Sequence, residues 1–163
     1  MKNVLFSVLM TAAFCGTAAA EPMEKLARTL TDPLKDRPSI KLAVLEFPYA
    51  GGKASEGPVV VQERLTTALV QDKKVTLIER GLLKKVMGEL NLQSTGAFDE
   101  ETVKKLGKML GADGIVTGTL NDMKADKTEI NARVVDTQTA KILSASAMTV
   151  KKTWKDTGAV VVT

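Results

Sequence analysis

The chain contains no histidine, and its single cysteine, Cys15, lies within the first twenty residues. Without imidazole the usual general base is missing, and with it the commonest ligand of zinc, copper and haem iron. A lone thiol closes no disulfide within the chain, so even in an oxidising compartment stability must come from the core. Enzymatic chemistry would fall to carboxylates, lysines, Tyr49 or hydroxyls alone. Aromatics are equally scarce: one Trp, one Tyr and four Phe make no platform on which bases could stack. The formal charge of +4 is interspersed with acids and forms no basic footprint of the kind nucleic-acid binders show. No cofactor, metal or nucleic-acid ligand is therefore expected, and no catalysis.

A long apolar run is also missing. One apolar stretch, Val4 to Phe14, follows Lys2 and gives way to the small residues Gly16 to Ala20 before Glu21 and Pro22. A membrane span needs about 20 apolar residues, so this pattern reads as a secretory signal with an Ala18-x-Ala20 processing site. Residues 1–20 are expected to be removed after Ala20, delivering residues 21–163 to the periplasm. The alternative is a lipoprotein leader that keeps Cys15 as an acylated first residue on the outer membrane. Against it, Ala12 and Phe14 stand where such a leader has a Leu-like and a small residue.

Residues 21–39 carry the stripe Met23, Leu26, Ala27 and Leu30 and stop at Asp32-Pro33, a helical arm leading into the domain. Ile40 to Phe47 is a nearly continuous apolar run, the pattern of a strand covered on both faces. A Gly-rich loop, Tyr49 to Gly57, leads to Pro58 and a helix with Val61, Leu65, Ala68 and Leu69 at helical spacing. Val75 to Ile78 reads as a short strand. Glu79-Arg80 opens a second helix whose stripe is Leu82, Leu83, Val86, Met87 and Leu90, ending near Gln93. A third helix has clear punctuation: Asp99 as cap, Glu100 and Glu101 against the positive end of the dipole, Phe98 and Val103 as a hydrophobic staple, and Gly111 as stop. Its stripe continues through Leu106, Met109 and Leu110. Ala112 to Leu120 is a strand with close backbone approach at Gly114 and Gly118. Ile130, Ala132 and Val134 then alternate with Glu129, Asn131 and Arg133, a sheet with one wet face. Asp136 to Ala140 is a turn, and Lys141 to Val150 returns as the partner strand. The order βαβααβββ describes one α/β (α+β) domain over residues 40–152, a mixed sheet with helices packed on it. In the tail, residues 153–163, Val160 to Val162 could add an edge strand, and Trp154 fits either a frayed end or a docking strand.

Several constellations have a plainer reading. Gly52-Lys53 within a Gly-rich loop between a strand and a helix suggests a phosphate loop, but Phe47 and Ala54 replace the glycine and hydroxyl that the Walker pattern needs. Glu79 and Arg80 read first as strand-end and first-turn charges and, more sharply, as an ion pair or partner contact. Asp99, Glu100 and Glu101 are explained by capping. Ser55, Ser39 with Lys41, and Ser144 with Ser146 all lack the motif geometry of a hydroxyl nucleophile with lysine as its base.

The segments Val61 to Met123 and Ile130 to Leu143 resemble the FlgO-type domain of the CsgG-like superfamily. The distinctive pieces are Glu79-Arg80, the run from Gly107 to Gly118, and Ala132 to Asp136 with Thr139. The likeness extends over about residues 41–150. That superfamily includes curli-export, flagellar outer-membrane accessory and penicillin-binding-protein activator lipoproteins. The resemblance implies a non-catalytic factor that binds proteins in the periplasm, linked to assembly of a flagellar or curli-like surface structure. It leaves room for a homo-oligomer and for weak association with the outer membrane, but none for the channel hairpins of the curli exporter. Partner contacts are expected at Tyr49, Gly51, Gly52 and Lys53 of the loop, at Glu79 and Arg80, and at Arg133, Asp136 and Thr139 of the hairpin. Ala140 stands where similar sequences have a turn glycine, at little expected cost. Two other functions remain: activation of a peptidoglycan synthase, and a cryptic hydrolase or ligand-binding enzyme built on Ser55, Lys53 and Glu56.

Overall fold

Successive side chains of a strand point to opposite faces of its sheet, and the run after Ile40 uses both. The computed structural model describes residues 22–37, 39–92 and 98–157. In β1, Lys41–Val44, and the residue after it, Leu42 and Val44 enter one hydrophobic cluster while Ala43 and Leu45 enter another. β1 lies between β2, Thr76–Leu77, and β3, Gly114–Met123, and is parallel to both. β3 also pairs antiparallel with β4, Lys127–Asp136, which pairs with β5, Ile142–Lys151. The five-stranded sheet therefore has the order β2-β1-β3-β4-β5, and the mixed single-domain fold expected from the sequence is the one formed. β1 is shorter than the apolar run that announces it. After Leu45, whose N–H still reaches the Val116 carbonyl at 2.9 Å, the chain turns so that Phe47 faces Pro58.

Two helices cover one face of the sheet. α1, Pro22–Thr31, and α2, Gly57–Asp72, bring Leu26, Leu30, Leu65 and Leu69 onto Leu42, Phe47, Val116, Ile130 and Val134. Leu26, Ala27 and Leu30 are fully buried, and burying each leucine contributes roughly 1.5–3 kcal/mol. The helix in segment 21–39 is thus built into the core. On the other face, α3, Arg80–Glu89, and α4, Glu100–Leu110, cover Ala43, Leu45, Ile115 and Val135. The ends of α4 follow its sequence signals. The Asp99 carboxylate accepts from Thr102 N at 2.7 Å, and Gly111 closes the helix at φ 62°. Two residues of the expected stripes point outward instead: Leu82 is 44% and Met109 40% exposed. Each helix shows the sheet only a narrow apolar band, filled by Leu83, Val86 and Met87 in α3 and by Val103, Leu106 and Leu110 in α4.

Trp154 proves to be docked. It is 7% exposed, its indole N–H donates to the Tyr49 hydroxyl at 2.9 Å, and the Lys155 carbonyl accepts from Glu56 N. The tail positions Val160 to Val162 and the helix end near Gln93 lie outside the described residues. β4 and β5 contain a bulge at Val134/Val135, where Ile142 opposes Val135 and Ser144 opposes Val134. Ala140 closes the turn between them at φ 55°, a left-handed conformation that costs a side-chain-bearing residue about 1 kcal/mol. The cost expected to be small is therefore appreciable.

Gly118 marks the tightest approach in the sheet. A Cβ there would run into the Asn131 carbonyl and the Phe47 ring. Gly118→Ala is expected to lower stability by about 1–3 kcal/mol, read as a reduced urea midpoint with unchanged slope.

Candidate functional site

Asp136, at the end of β4, builds the best-defined surface feature. One carboxylate oxygen accepts from Gln138 N at 3.0 Å, Thr139 N at 2.8 Å and the Thr139 hydroxyl at 2.9 Å. The other accepts from the Arg37 guanidinium at 2.8 Å. Burial pushes this carboxyl up, but Arg37 and the Thr139 donors outweigh it and hold the pKa at about 2. The turn so fixed places Thr139 and Ala140 at the rim of an open groove of about 330 Å³. Phe98, from the start of α4, and Ile142, from the start of β5, face it across the strands. Thr117 and Arg133, cross-strand partners in β3 and β4, form its floor. Thr117 is 4% exposed and its hydroxyl has no partner among the described residues, while Ile142 is 60% exposed. The groove thus sets an exposed aliphatic side chain beside an arginine and a buried hydroxyl.

The groove opens onto a sheet face that is bare among the described residues. Residues of β3, β4 and β5 that point away from α1 and α2 form rows: Thr117-Arg133-Ala145, Thr119-Asn131-Ala147, Asn121-Glu129-Thr149 and Met123-Lys127-Lys151. Ala145, Ala147 and Thr149 are exposed, and Thr119, Asn131 and Glu129 half-buried. Small and polar side chains make this face flat.

The other expected contact residues lie elsewhere. Tyr49 is buried, and its hydroxyl donates to Asp122 at 3.0 Å. Asp122 also holds the Lys53 ammonium at 2.6 Å, that of Lys152 at 2.8 Å and the Thr128 hydroxyl at 2.9 Å. Asp156 pairs with the same two lysines. Burial would raise the Asp122 carboxyl, but the two ammonium groups hold it well below the carboxylate range, and the two aspartates raise Lys152 in turn. This latch ties loop, hairpin and C-terminal segment together, and leaves Gly51 and Gly52 exposed at its outer bend. Glu79 caps α3 through Leu82 N at 3.1 Å, and the backbone N–H groups of Gly81 and Leu82 lower its pKa. Arg80 pairs with Glu63 beside a crevice of about 310 Å³ lined by Gln62 and Met87. Ser55 donates to the Lys155 carbonyl at 3.2 Å and accepts from Gly57 N, while the Lys53 ammonium sits between Asp122 and Asp156. Ser55 and Lys53 therefore do not pair as nucleophile and base. Of the expected residues the structure brings together Arg133, Thr139 and, behind them, Asp136. Sequence reasoning missed Thr117 and Ile142, whose only signal is the strand register that sets Thr117 against Arg133.

Over residues 60–159 the chain matches the family model of the peptidoglycan-synthase activator LpoB. The chain belongs to the LpoB family. Solved LpoB structures share the fold. The LpoB C-terminal domain from Salmonella enterica aligns with a TM-score of 0.63 at 16% identity, covering 80% of this chain and 96% of that one. The NMR structure of Escherichia coli LpoB aligns with a TM-score of 0.63 at 14% identity, covering 95% and 82%. Lipoprotein GNA1162 from Neisseria meningitidis aligns with a TM-score of 0.51 at 14% identity, covering 69% and 80%. No curated protein matches in sequence. Membership of the LpoB family corrects the resemblance to a FlgO-type, CsgG-like domain, and with it the flagellar or curli-like assembly role. The pieces that carried the resemblance have structural jobs here: Gly111 stops α4, Gly118 admits Phe47, and Asp136 folds the turn.

The depressed Asp136 carboxyl makes a pH prediction. Its stabilisation is fully present above the ordinary value of 3.8 and is lost as pH falls towards about 2, because the unfolded chain then binds the extra proton. Asp136→Asn should lose about 2 kcal/mol at pH 7, and the gap between variant and wild-type unfolding midpoints should close between pH 4 and pH 2.

Proposed function

We propose that this chain activates a peptidoglycan synthase by binding it in the cell envelope, with the groove at Thr117, Arg133, Thr139 and Ile142 as a contact. The observation that carries this reading is the family match over residues 60–159. The exposed Ile142 and the flat face beside it supply a surface suited to a protein partner. Activation of this kind needs no chemistry from the activator. An activator that binds the active form of an enzyme more tightly than the resting form shifts the population between them, and about 1.4 kcal/mol of difference is worth tenfold. The secretory leader supports an envelope location. Cleavage after Ala20 and acylation at Cys15 are its two routes, and intact-mass measurement on protein from separated periplasm and outer membrane should return either a chain starting at Glu21 or a lipid-bearing chain starting at Cys15. No helix among the described residues is long and apolar enough to cross a membrane.

Purified residues 21–163 are expected to raise the turnover of the cognate synthase in glycan polymerisation and cross-linking assays. Ile142→Asp should abolish that effect without moving the chain's unfolding midpoint. Wild-type protein that leaves turnover unchanged at saturating concentration would refute the proposal.

A further inference from the structure

At the far end of the bare face, where β4 begins at Lys127 and nine residues before Asp136, the β3–β4 hairpin breaks three rules that favour stability. Lys127 and Lys151 are direct cross-strand partners on the exposed face, and like charges in that position repel. The three-residue turn Lys124-Ala125-Asp126 places Ala125 at φ 59° and Asp126 at φ 51°, left-handed values that favour glycine. Met123, in the same row as the two lysines, is 52% exposed. Lys124 adds a third exposed ammonium group at the tip. None of these three lysines has a carboxylate partner among the described residues, whereas Lys53 and Lys152 nearby are both paired. Asp126 is the one carboxylate in the turn, and its carbonyl is held by Lys152 N at 2.7 Å. Departures from local stability that gather at one exposed place mark a functional surface.

We propose that the tip formed by Met123, Lys124, Lys127 and Lys151 is a second docking point for an acidic protein surface on the same synthase. The inference rests on the proposed function and adds the chemistry of the partner. Lysines are hydrated point charges suited to scattered carboxylates. The flat rows of Ala147 and Thr149 continue the surface towards the groove, so one partner face can lie along both. At about 3.3 Å per residue, the ten residues of β4 set the two points roughly 30 Å apart. A bilayer surface fits less well, because Met123 is the only large apolar side chain exposed at the tip among the described residues.

The test compares wild-type residues 21–163 with Lys127→Glu and with the triple variant Lys124→Glu, Lys127→Glu, Lys151→Glu. Dissociation constants for the cognate synthase are measured at 50 mM and 300 mM salt, beside thermal unfolding. Lys127→Glu converts the repelling pair into an attracting one. It should raise the unfolding midpoint by about 1–2 °C while weakening synthase binding by roughly three- to tenfold, a combination that loss of folding cannot produce. The triple variant should bind weakly at both salts, with the salt dependence of the wild type gone. Wild-type chain that binds and activates while both variants match it overturns this inference and leaves the proposed function standing. Unchanged synthase affinity with lost binding to phosphatidylglycerol vesicles, or to purified peptidoglycan, overturns it as well and assigns the tip to that surface. Wild-type chain that does not bind the synthase at either salt overturns both.

Discussion

β3 is the constraint on which the molecule is organised. Among the described strands it is the one that pairs parallel on one side and antiparallel on the other, so it must satisfy two kinds of neighbour along its length. In its first half Ile115 and Val116 are buried on opposite faces, and helices are required on both sides. In its second half only Gly118 and Leu120 face a core, and Thr119, Asn121 and Met123 turn to the open side. The change from two covered faces to one within a single strand creates the groove, where the cover of α4 ends. It also creates the bare surface that runs on from there.

The ends of the antiparallel unit are secured by carboxylates. Asp136 folds the turn at one end and Asp122 gathers Tyr49, Lys53, Thr128 and Lys152 at the other. Each is partly withdrawn from water and each accepts several charged or polar donors, the condition under which such groups are worth having. Between them the sheet needs few specific interactions on its open face, and the small residues there are free to serve recognition. The two anchoring carboxylates also explain why so little of the chain's charge is available for contact near the loop that begins at Tyr49.

Element order and helix ends were legible in the sequence because they depend on neighbours a few residues apart. Asp99 meets Thr102 within one turn, and Gly111 acts where it stands. What joins distant segments was not. Tyr49, Asp122 and Trp154 lie far apart along the chain, and nothing in their local sequence says that they touch. That is why Tyr49 and Lys53 looked like surface contacts. The outward turn of Leu82 and Met109 was hidden for a related reason, since periodicity gives the width of an apolar stripe but not how much of it the sheet will cover. Arg133, Asp136 and Thr139 were singled out through a resemblance whose family proved wrong, and the structure gathers them because they share one hairpin end, where Asp136 folds the turn that carries Thr139.

The irregularity between β4 and β5 has an outcome larger than its size. By strict alternation Ile142 would share the side of Ser144, towards α1, whose Leu30 carbonyl binds the Ser144 hydroxyl. The additional residue in β5 resets the phase, and Ile142 instead emerges beside Val135 and Arg133. Insertion or loss of one residue at Leu143 would swap which hydrophobe is hidden and which is offered. Chain length alone thus decides which hydrophobe reaches the open face, with no change in the chemistry of the residues that remain.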